Sequence, residues 1–150
     1  MTRPFPLEIL KTLSQQRNNH AARHLGQMNQ NCLAEQKKLD LLTQFRADYQ
    51  ARYQAATLEG RELDTLANFR NFLARLDEAV RQQRTVVELA ERQVQNSQIT
   101  VTETHRQVQS MEALEQRHLT QEHLEESRAE QKMVDEQNGQ RVARKQMEVE

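Results

Sequence analysis

The sequence predicts an all-α fold in which two long helices pack as an antiparallel coiled-coil hairpin. The 78 residues from Arg61 to Asn138 contain no Gly or Pro, and an apolar residue recurs at seven-residue spacing through most of that stretch. A shorter stripe with the same period precedes it, and one strong helix breaker, Gly60, lies between the two. A heptad stripe is typical of a coiled coil because one helix cannot bury it alone.

The composition favours a thin helical rod over a globular domain. Hydrophobic residues make up only 36% of the 150 residues and Trp is absent, so a large core is excluded. The net charge of −1 provides no field that would attract nucleic acid or anionic lipid. The lone Cys32, together with the lack of a signal peptide or membrane span, predicts a cytoplasmic protein.

Helix 1 is predicted to run from about residue 7 to residue 57, after Pro4 and Pro6. Its heptad stripe contains two polar interruptions, Glu35 and Arg46. The two interleaved sets of stripe positions are Leu25, Cys32, Leu39, Arg46 and Tyr53, and Met28, Glu35, Leu42, Tyr49 and Ala56.

The turn is predicted at residues 58–62, around Gly60, with Asp64 or Thr65 as the N-cap of the second helix. Such a short connection makes the two helices antiparallel neighbours. The sequence therefore predicts a single coiled-coil unit over residues 1–150.

Helix 2 is predicted over residues 63–136, with Gly139 ending it and residues 137–150 forming a frayed tail. Taking Leu66 as heptad position a places one apolar or small residue at most a and d positions. The a positions are Leu66, Leu73, Val80, Val87, Val94, Val101 and Val108, and the d positions are Phe69, Leu76, Gln83, Ala90, Ser97, Thr104 and Met111.

The two predicted helices differ in length, so part of helix 2 is expected to lack a partner. Pairing Ala56 with Leu66 across the turn places Leu7 opposite residue 115, where the apolar seam fades into Glu115 and His118. The last third of helix 2 is therefore predicted to overhang the pair and to dock on a partner. Its sparse apolar residues are Leu119, Leu124, Met133 and Val134.

The sequence contains no arrangement typical of a catalytic or metal site. His20 and His24 have i, i+4 spacing, but no Cys or carboxylate nearby completes a metal site, and no HExxH motif or Gly-rich phosphate loop is present. Cys32 falls on the helix 1 stripe, which predicts a small buried residue rather than a nucleophile. We expect no enzymatic activity, no metal and no cofactor.

Two aromatic residues fall outside the predicted seam. Phe45 and Phe72 each occupy a g position, and both lie 12 to 15 residues from Gly60. In an antiparallel pair the two g edges are on the same side, so the two rings lie at similar heights near the turn. Either both rings fold over the seam and extend the core, or they form an exposed aromatic patch that binds a partner.

The chain resembles the flagellar export protein FliJ family over nearly its whole length. The similar stretches are HLGQMNQNC (residues 24–32), LDLLTQFRADYQARY (39–53), NFRNFLARLDEAVRQQ (68–83) and RAEQKMVDE (128–136). Identities outside the seam carry the resemblance, because heptads alone invite false matches. They include Gly26, Phe45, Tyr49 and Phe72.

The resemblance implies a non-enzymatic stalk and escort of flagellar type III protein export. It implies an antiparallel coiled coil similar to the γ-subunit shaft of the F1 ATPase. The end bearing both termini would enter the ring of the export ATPase and promote ring assembly and ATP hydrolysis. The family also contacts the export gate membrane protein and recycles empty chaperones of late substrates. This implies a cytoplasmic protein held at the inner face of the cell membrane through the apparatus rather than by direct membrane contact.

The resemblance also places a gate-binding surface on six residues of this chain. Three of them fall in the predicted seam, where they would shape the surface rather than touch the gate. Lys38 and Gln83 stand where the family often has Gln and His, respectively. The six residues are Leu42, Phe45, Tyr49, Phe72, Leu76 and Ala79.

Two alternatives share the predicted architecture. One is the equivalent stalk of a virulence type III secretion system, and the other is a purely structural coiled-coil scaffold or homodimer. The residues around Phe45 and Phe72 favour the flagellar stalk over the virulence one. A scaffold would dimerise with increasing concentration and would leave any ATPase unaffected.

Overall fold

The computed structural model describes residues 3–149, which form two long α-helices. Helix α1 spans Glu8–Leu58 and α2 spans Leu63–Val149, and the helices pack antiparallel on either side of a short turn. The described residues contain no strand. The prediction of an all-α antiparallel hairpin is confirmed. Neither helix carries an apolar stretch long enough to cross a membrane within residues 3–149.

The turn is built by Gly60. Its φ of 70° lies in the left-handed region, which glycine adopts at little cost. The Gly60 N–H donates to the Thr57 carbonyl at 3.2 Å, and the Arg61 N–H donates to the Ala56 carbonyl at 3.3 Å. These two bonds form a Schellman motif, which satisfies the last carbonyls of α1 and reverses the chain.

Helix α2 begins one residue before the predicted caps. The Leu66 N–H donates to the Glu62 carbonyl at 3.1 Å, so Asp64 and Thr65 already lie within the first turn. The prediction that either residue is the N-cap is therefore wrong. The Asp64 carboxylate instead lies where a negative charge favours the partial positive charge of a helix N-terminus.

The contacts divide the chain into two compact units, where the sequence predicted one. The hairpin unit comprises Asn18–Glu103, and the terminal unit comprises Met1–Arg17 with Thr104–Glu150. Contacts between paired helices join only residues at similar heights, so they separate into groups even where each helix is continuous.

In the hairpin unit, the seam follows the predicted heptads. Every a and d position of α2 from Leu66 to Glu103 is buried or half-buried. On α1 the seam positions from Leu25 to Ala56 are also covered, except Arg46, which stays exposed. The most buried side chains are Ala21, Ala56, Leu73, Leu76, Val80, Val87, Ala90 and Ser97.

The two polar interruptions of the α1 stripe each have a partner on α2. The Gln83 side-chain amide donates to the Glu35 carboxylate at 2.6 Å and to the Glu35 carbonyl at 2.9 Å. The Arg46 guanidinium pairs with the Asp77 carboxylate. The part-buried Gln83–Glu35 pair fixes the register, because a slip would leave both groups without a partner in the seam.

In the terminal unit, polar and aromatic side chains continue the seam of α2 beyond Met111. Lys11 pairs with Glu115 at 2.5 Å, and the rings of Phe5 and His118 lie 5.7 Å apart. The Arg3 backbone N–H donates to both oxygens of the buried Glu122 carboxylate, at 3.1 and 3.2 Å.

The unpaired part of α2 therefore begins after Glu122, and the prediction that it begins at residue 115 is wrong. Lys11, not Leu7, lies opposite Glu115. Residues 3–5 precede the helix and are not helical. Non-helical chain extends further along α2 per residue than a helix does, because a helix advances only about 1.5 Å per residue.

The predicted end of helix 2 near residue 136 is also wrong. Helix α2 continues through Gly139 to Val149, so the segment predicted as a frayed tail is helical. Gly inside a helix costs about 1 kcal/mol relative to Ala, but it ends a helix only where it adopts a reversing conformation. Gly60 is the one Gly with positive φ in the described chain.

Candidate partner-binding surfaces

An aromatic cluster covers one side of the hairpin unit near the turn. Tyr49 of α1 contacts two rings of α2, with centroids 4.3 Å from Phe72 and 5.3 Å from Phe69. Phe45 lies beside them, one helical turn before Tyr49. Phe45 remains 50% exposed and Phe72 remains 41% exposed, while Phe69 and Tyr49 are half-buried.

The heptad positions explain this division. Phe69 and Tyr49 occupy d positions and enter the seam, whereas Phe45 and Phe72 occupy g positions at its edge. The Phe72 ring packs against Tyr49, and part of its surface stays exposed to solvent. Of the two arrangements considered from the sequence, the structure has the exposed aromatic patch.

The six residues that the resemblance assigns to gate binding lie together, but at different depths. Leu76 is buried at 9% exposure, so it supports the surface from beneath. Leu42, Tyr49 and Ala79 are half-buried, and only Phe45 and Phe72 are exposed. We call these six residues the tip patch.

A groove of about 350 Å³ crosses the tip patch between the two helices. Its apolar walls come from the patch, and two charged residues that the sequence analysis did not select, Asp48 and Arg52, lie at its rim. They occupy c and g positions, which are adjacent on the helix surface, so extending the heptad count to c would have identified them. The lining residues are Phe45, Asp48, Tyr49, Arg52, Phe72 and Leu76.

The polar pair in the seam has an electrostatic consequence. The hydrogen bond from Gln83 lowers the pKa of the Glu35 carboxyl below its ordinary value of 4.5, and the nearby Lys38 ammonium at 3.3 Å acts in the same direction. Because the pKa is lower in the folded chain, ionised Glu35 stabilises the fold at pH values above 4.5. That stabilisation is lost as the pH falls from 4.5 through the folded-state pKa.

We therefore expect Glu35→Gln to flatten the acid limb of the stability curve. The melting temperature of the wild type will fall more steeply than that of Glu35→Gln when the pH is lowered from about 6 to about 3. Circular dichroism at the helix minimum gives both curves. Glu88→Gln, which removes an exposed carboxylate of the same unit, is the matched control and keeps the wild-type slope. Parallel wild-type and Glu35→Gln curves would contradict this assignment.

The second candidate surface is the part of α2 beyond the last contacts of the N-terminal segment. Every described residue from 123 to 149 is exposed, including three of the four apolar side chains predicted to bind a partner; the fourth, Leu119, lies just before this range. Leu119 and Leu124 line one surface depression together with His123. The four predicted residues, all exposed, are Leu119, Leu124, Met133 and Val134.

A cation anchors α1 against α2 just before this surface. The hydrogen bond with the Glu115 carboxylate raises the pKa of the Lys11 ammonium above its ordinary value of 10.5. Lys11 therefore stays charged at neutral pH, and the pair holds the first turns of α1 against α2. The surface beyond Glu122 begins next to a fixed N-terminal segment.

Neither surface contains the elements of a metal or catalytic site. Among residues 3–149, no group of three or more His, Cys, Asp and Glu side chains is arranged to hold a metal ion. Cys32 is half-buried in the seam, as its heptad position predicts. What the two surfaces offer is exposed apolar area next to charge, which is suited to binding other proteins.

Comparison with known proteins gives matches over nearly the whole chain. A family model described as "Flagellar FliJ protein" matches residues 3–147. The flagellar FliJ proteins of Salmonella typhi and Escherichia coli K12 are each 27% identical to the chain over 130 residues, which cover 87% of this chain and 88% of each relative.

The fold also has a solved counterpart. The structure of a putative YscO homolog, CT670 from Chlamydia trachomatis, superposes with a TM-score of 0.72 at 18% identity, covering 92% of this chain and 93% of the other. At that identity the likeness establishes a shared fold.

Proposed function

Because the chain belongs to the flagellar FliJ protein family, a non-enzymatic component of the flagellar type III export apparatus, we propose that it links the export ATPase to the export gate. In this proposal it is a stalk for the ATPase ring and an escort for export chaperones. The observation that carries the proposal is the presence of one exposed apolar surface in each unit: the tip patch and the unpaired part of α2. Two surfaces allow two partners to bind the chain at the same time.

The unpaired part of α2 is the proposed ring contact, together with the first turns of α1. From residue 123 onward every described residue of this helix is exposed, including the apolar Leu124, Met133 and Val134. An apolar helix face without an internal partner supports docking on another protein. Inserted in a ring of ATPase subunits, a helix pair contacts the subunits unequally and so favours ring assembly and hydrolysis.

The tip patch is the proposed gate contact. Phe45 and Phe72 offer aromatic rings at the surface, and Tyr49 holds the Phe72 ring in place. Exposed aromatic residues supported by a packed layer are the usual centre of a protein interface. Binding to the gate would place the protein at the inner face of the cell membrane, with its site of action in the cytoplasm.

The escort role is the third part of the proposal. The resemblance to the family, rather than a particular surface, supports the recycling of late-substrate chaperones. A chaperone that competes with the gate for the tip patch would be handed over at the gate, which gives the escort role a physical basis.

Titration of this chain into its cognate export ATPase tests the stalk. We expect hydrolysis and ring formation to rise together at less than one chain per ATPase subunit, because one stalk serves a whole ring. Phosphate release reports the rate, and analytical ultracentrifugation reports the ring. An active ATPase that does not respond to the chain would contradict the stalk role.

The fold by itself does not separate a flagellar stalk from a virulence stalk, since a YscO homolog has the same fold. The match to the flagellar family over residues 3–147 supports the flagellar function. A plain coiled-coil scaffold is distinguished by the titration, because it would dimerise and leave the ATPase rate unchanged.

A further inference from the structure

The exposed apolar surface of the hairpin unit extends well beyond the tip patch. Heptad positions g and c are neighbours on a helix, and in an antiparallel pair the g and c positions of both helices line the same side. Over residues 38–52 and 72–89 this side holds six apolar side chains, which we call the apolar flank. They are Leu41, Phe45, Phe72, Ala79, Val86 and Leu89.

The opposite side of the same stretch is polar. Within residues 38–52 and 72–89, no apolar side chain larger than Ala occupies an e or b position. The residues at these positions are Asp40, Thr43, Ala47, Gln50, Ala74, Asp77, Arg81, Arg84 and Glu88. Further from the turn, the depression between the helices on that side has both polar and apolar walls. Its lining residues are Asn29, Cys32, Leu33, Gln36, Glu91, Val94, Gln95 and Gln98. Over residues 38–52 and 72–89 the hairpin unit therefore has one apolar and one polar side around a shared seam.

Val86 and Leu89 are not needed for the internal packing of the hairpin. They remain 41% and 56% exposed, whereas Val87, a seam residue between them, is buried. Single exposed apolar residues are common on protein surfaces, but several along one side of a helix mark an interaction site. The row runs from Phe72 through the half-buried Ala79 to Val86 and Leu89, with Arg75 and Gln82 between them.

The dimensions of the apolar flank fit a helix. From Phe72 to Leu89 the row covers 18 residues of α2, an advance of about 25 Å at the helical rise of about 1.5 Å per residue. A groove between the two helices runs along it at the tip patch. A third helix of about five turns would fill such a groove with residues at i, i+3, i+4 and i+7.

The charges on this side indicate the sign of the charge that the partner carries. The g and c positions of the two stretches carry the cations Lys38, Arg52 and Arg75 and the single anion Asp48. Lys38 already pairs with Glu35, but Arg52 lies at the rim of the groove and Arg75 is exposed beside Phe72. Carboxylates along the edges of a docked helix would complement this rim.

We propose that the apolar flank binds an acidic amphipathic helix of about five turns, which packs between α1 and α2 as a third helix. This proposal rests on the gate contact proposed above, because it takes the export gate as the source of that helix. Val86 and Leu89, which the family resemblance does not assign, then become specificity-determining residues, and Arg52 and Arg75 select the acidic partner.

A designed peptide tests the chemistry without the gate. The probe is a labelled peptide of about 18 residues with Leu at helical a and d spacing and Glu at most other positions, and its counterpart has Lys in place of Glu. We expect the acidic peptide to gain helicity on binding, and the basic peptide to bind about tenfold or more weakly. Raising the salt concentration will weaken the acidic complex.

Exposed-residue variants locate the site. Val86→Gln and Leu89→Gln will each lower the affinity for the acidic peptide by about fivefold to tenfold, because each removes apolar area that the peptide would cover. Arg75→Gln will lower the affinity by a smaller factor. Leu33→Gln is the matched control: Leu33 is 53% exposed and occupies a b position on the polar side. Circular dichroism checks that all four variants remain folded.

Equal binding of the two peptides would overturn the proposal, as would an equal loss for Leu33→Gln and Leu89→Gln. Dimerisation of the chain through the apolar flank would also overturn the proposal, because a second copy would then be the partner. The sign of this outcome is a doubled mass that Leu89→Gln returns to that of the monomer. The gate is assayed separately with its soluble portion. If the gate requires Phe72 but not Val86 or Leu89, the helix proposal fails and the gate contact stands. If the acidic peptide binds as expected and the gate does not bind, the proposed gate contact is wrong and the proposal for the apolar flank is supported.

Discussion

Phe72→Ala is expected to weaken binding of the export gate by about tenfold or more and to leave the helix content unchanged. Phe72 keeps 41% of its surface exposed while it packs against Tyr49, so its loss removes interface area rather than core. An aromatic side chain at the centre of an interface contributes roughly 2 kcal/mol or more to binding. Calorimetry with the soluble part of the gate gives the affinity, and circular dichroism gives the helix content.

Two further variants are compared with Phe72→Ala. Ile99→Ala, an exposed apolar residue outside the tip patch, is the matched control and keeps wild-type affinity. Leu76→Ala differs because Leu76 is buried, and we expect it to lower the free energy of unfolding by about 2–5 kcal/mol. Loss of helix in Phe72→Ala would place Phe72 in the core and would contradict the surface role.

Truncation after Glu122 is expected to abolish most of the stimulation of the ATPase with little loss of thermal stability. The removed residues make no contact that covers them in the described chain, whereas the contacts of Arg3, Phe5 and Lys11 with α2 all remain. The hairpin therefore keeps its packing and loses the proposed ring contact. Phosphate release and a melting curve measure the two properties.

A milder variant separates ring contact from length. Leu124→Gln with Met133→Gln keeps the full helix and removes two exposed apolar side chains. We expect this double variant to lower stimulation in the same direction as the truncation. Full stimulation by the chain that ends at Glu122 would contradict the assignment of the ring contact to this part of α2.

The heptad period predicted the fold because it depends only on local sequence. Seven-residue spacing identifies which side of each helix is buried, and Gly60 marks the reversal, so both helices and the turn follow directly. The same count placed Phe45 and Phe72 at the edge of the seam. Because position g lies at the edge of the seam, the exposure of the two rings of the tip patch could be predicted from the sequence.

Contacts between the helices could not be predicted in the same way, because a heptad repeat leaves the register undefined. Glu35 and Gln83 were each placed at a seam position of their own helix, yet only the structure shows that they hydrogen-bond to each other. The buried Glu122 was missed since its partner is the backbone N–H of Arg3, which no side-chain pattern reveals. Gly139 was taken as a helix end because composition does not show whether a Gly adopts positive φ.

The central claim is that one chain holds the ATPase and the gate together. The most direct test is mass photometry of a mixture of this chain, the export ATPase and the soluble part of the gate. We predict one species containing all three proteins, which loses the gate with Phe72→Ala and loses the ATPase with the truncation after Glu122. Binary complexes only, with the gate displacing the ATPase from the chain, would contradict the claim.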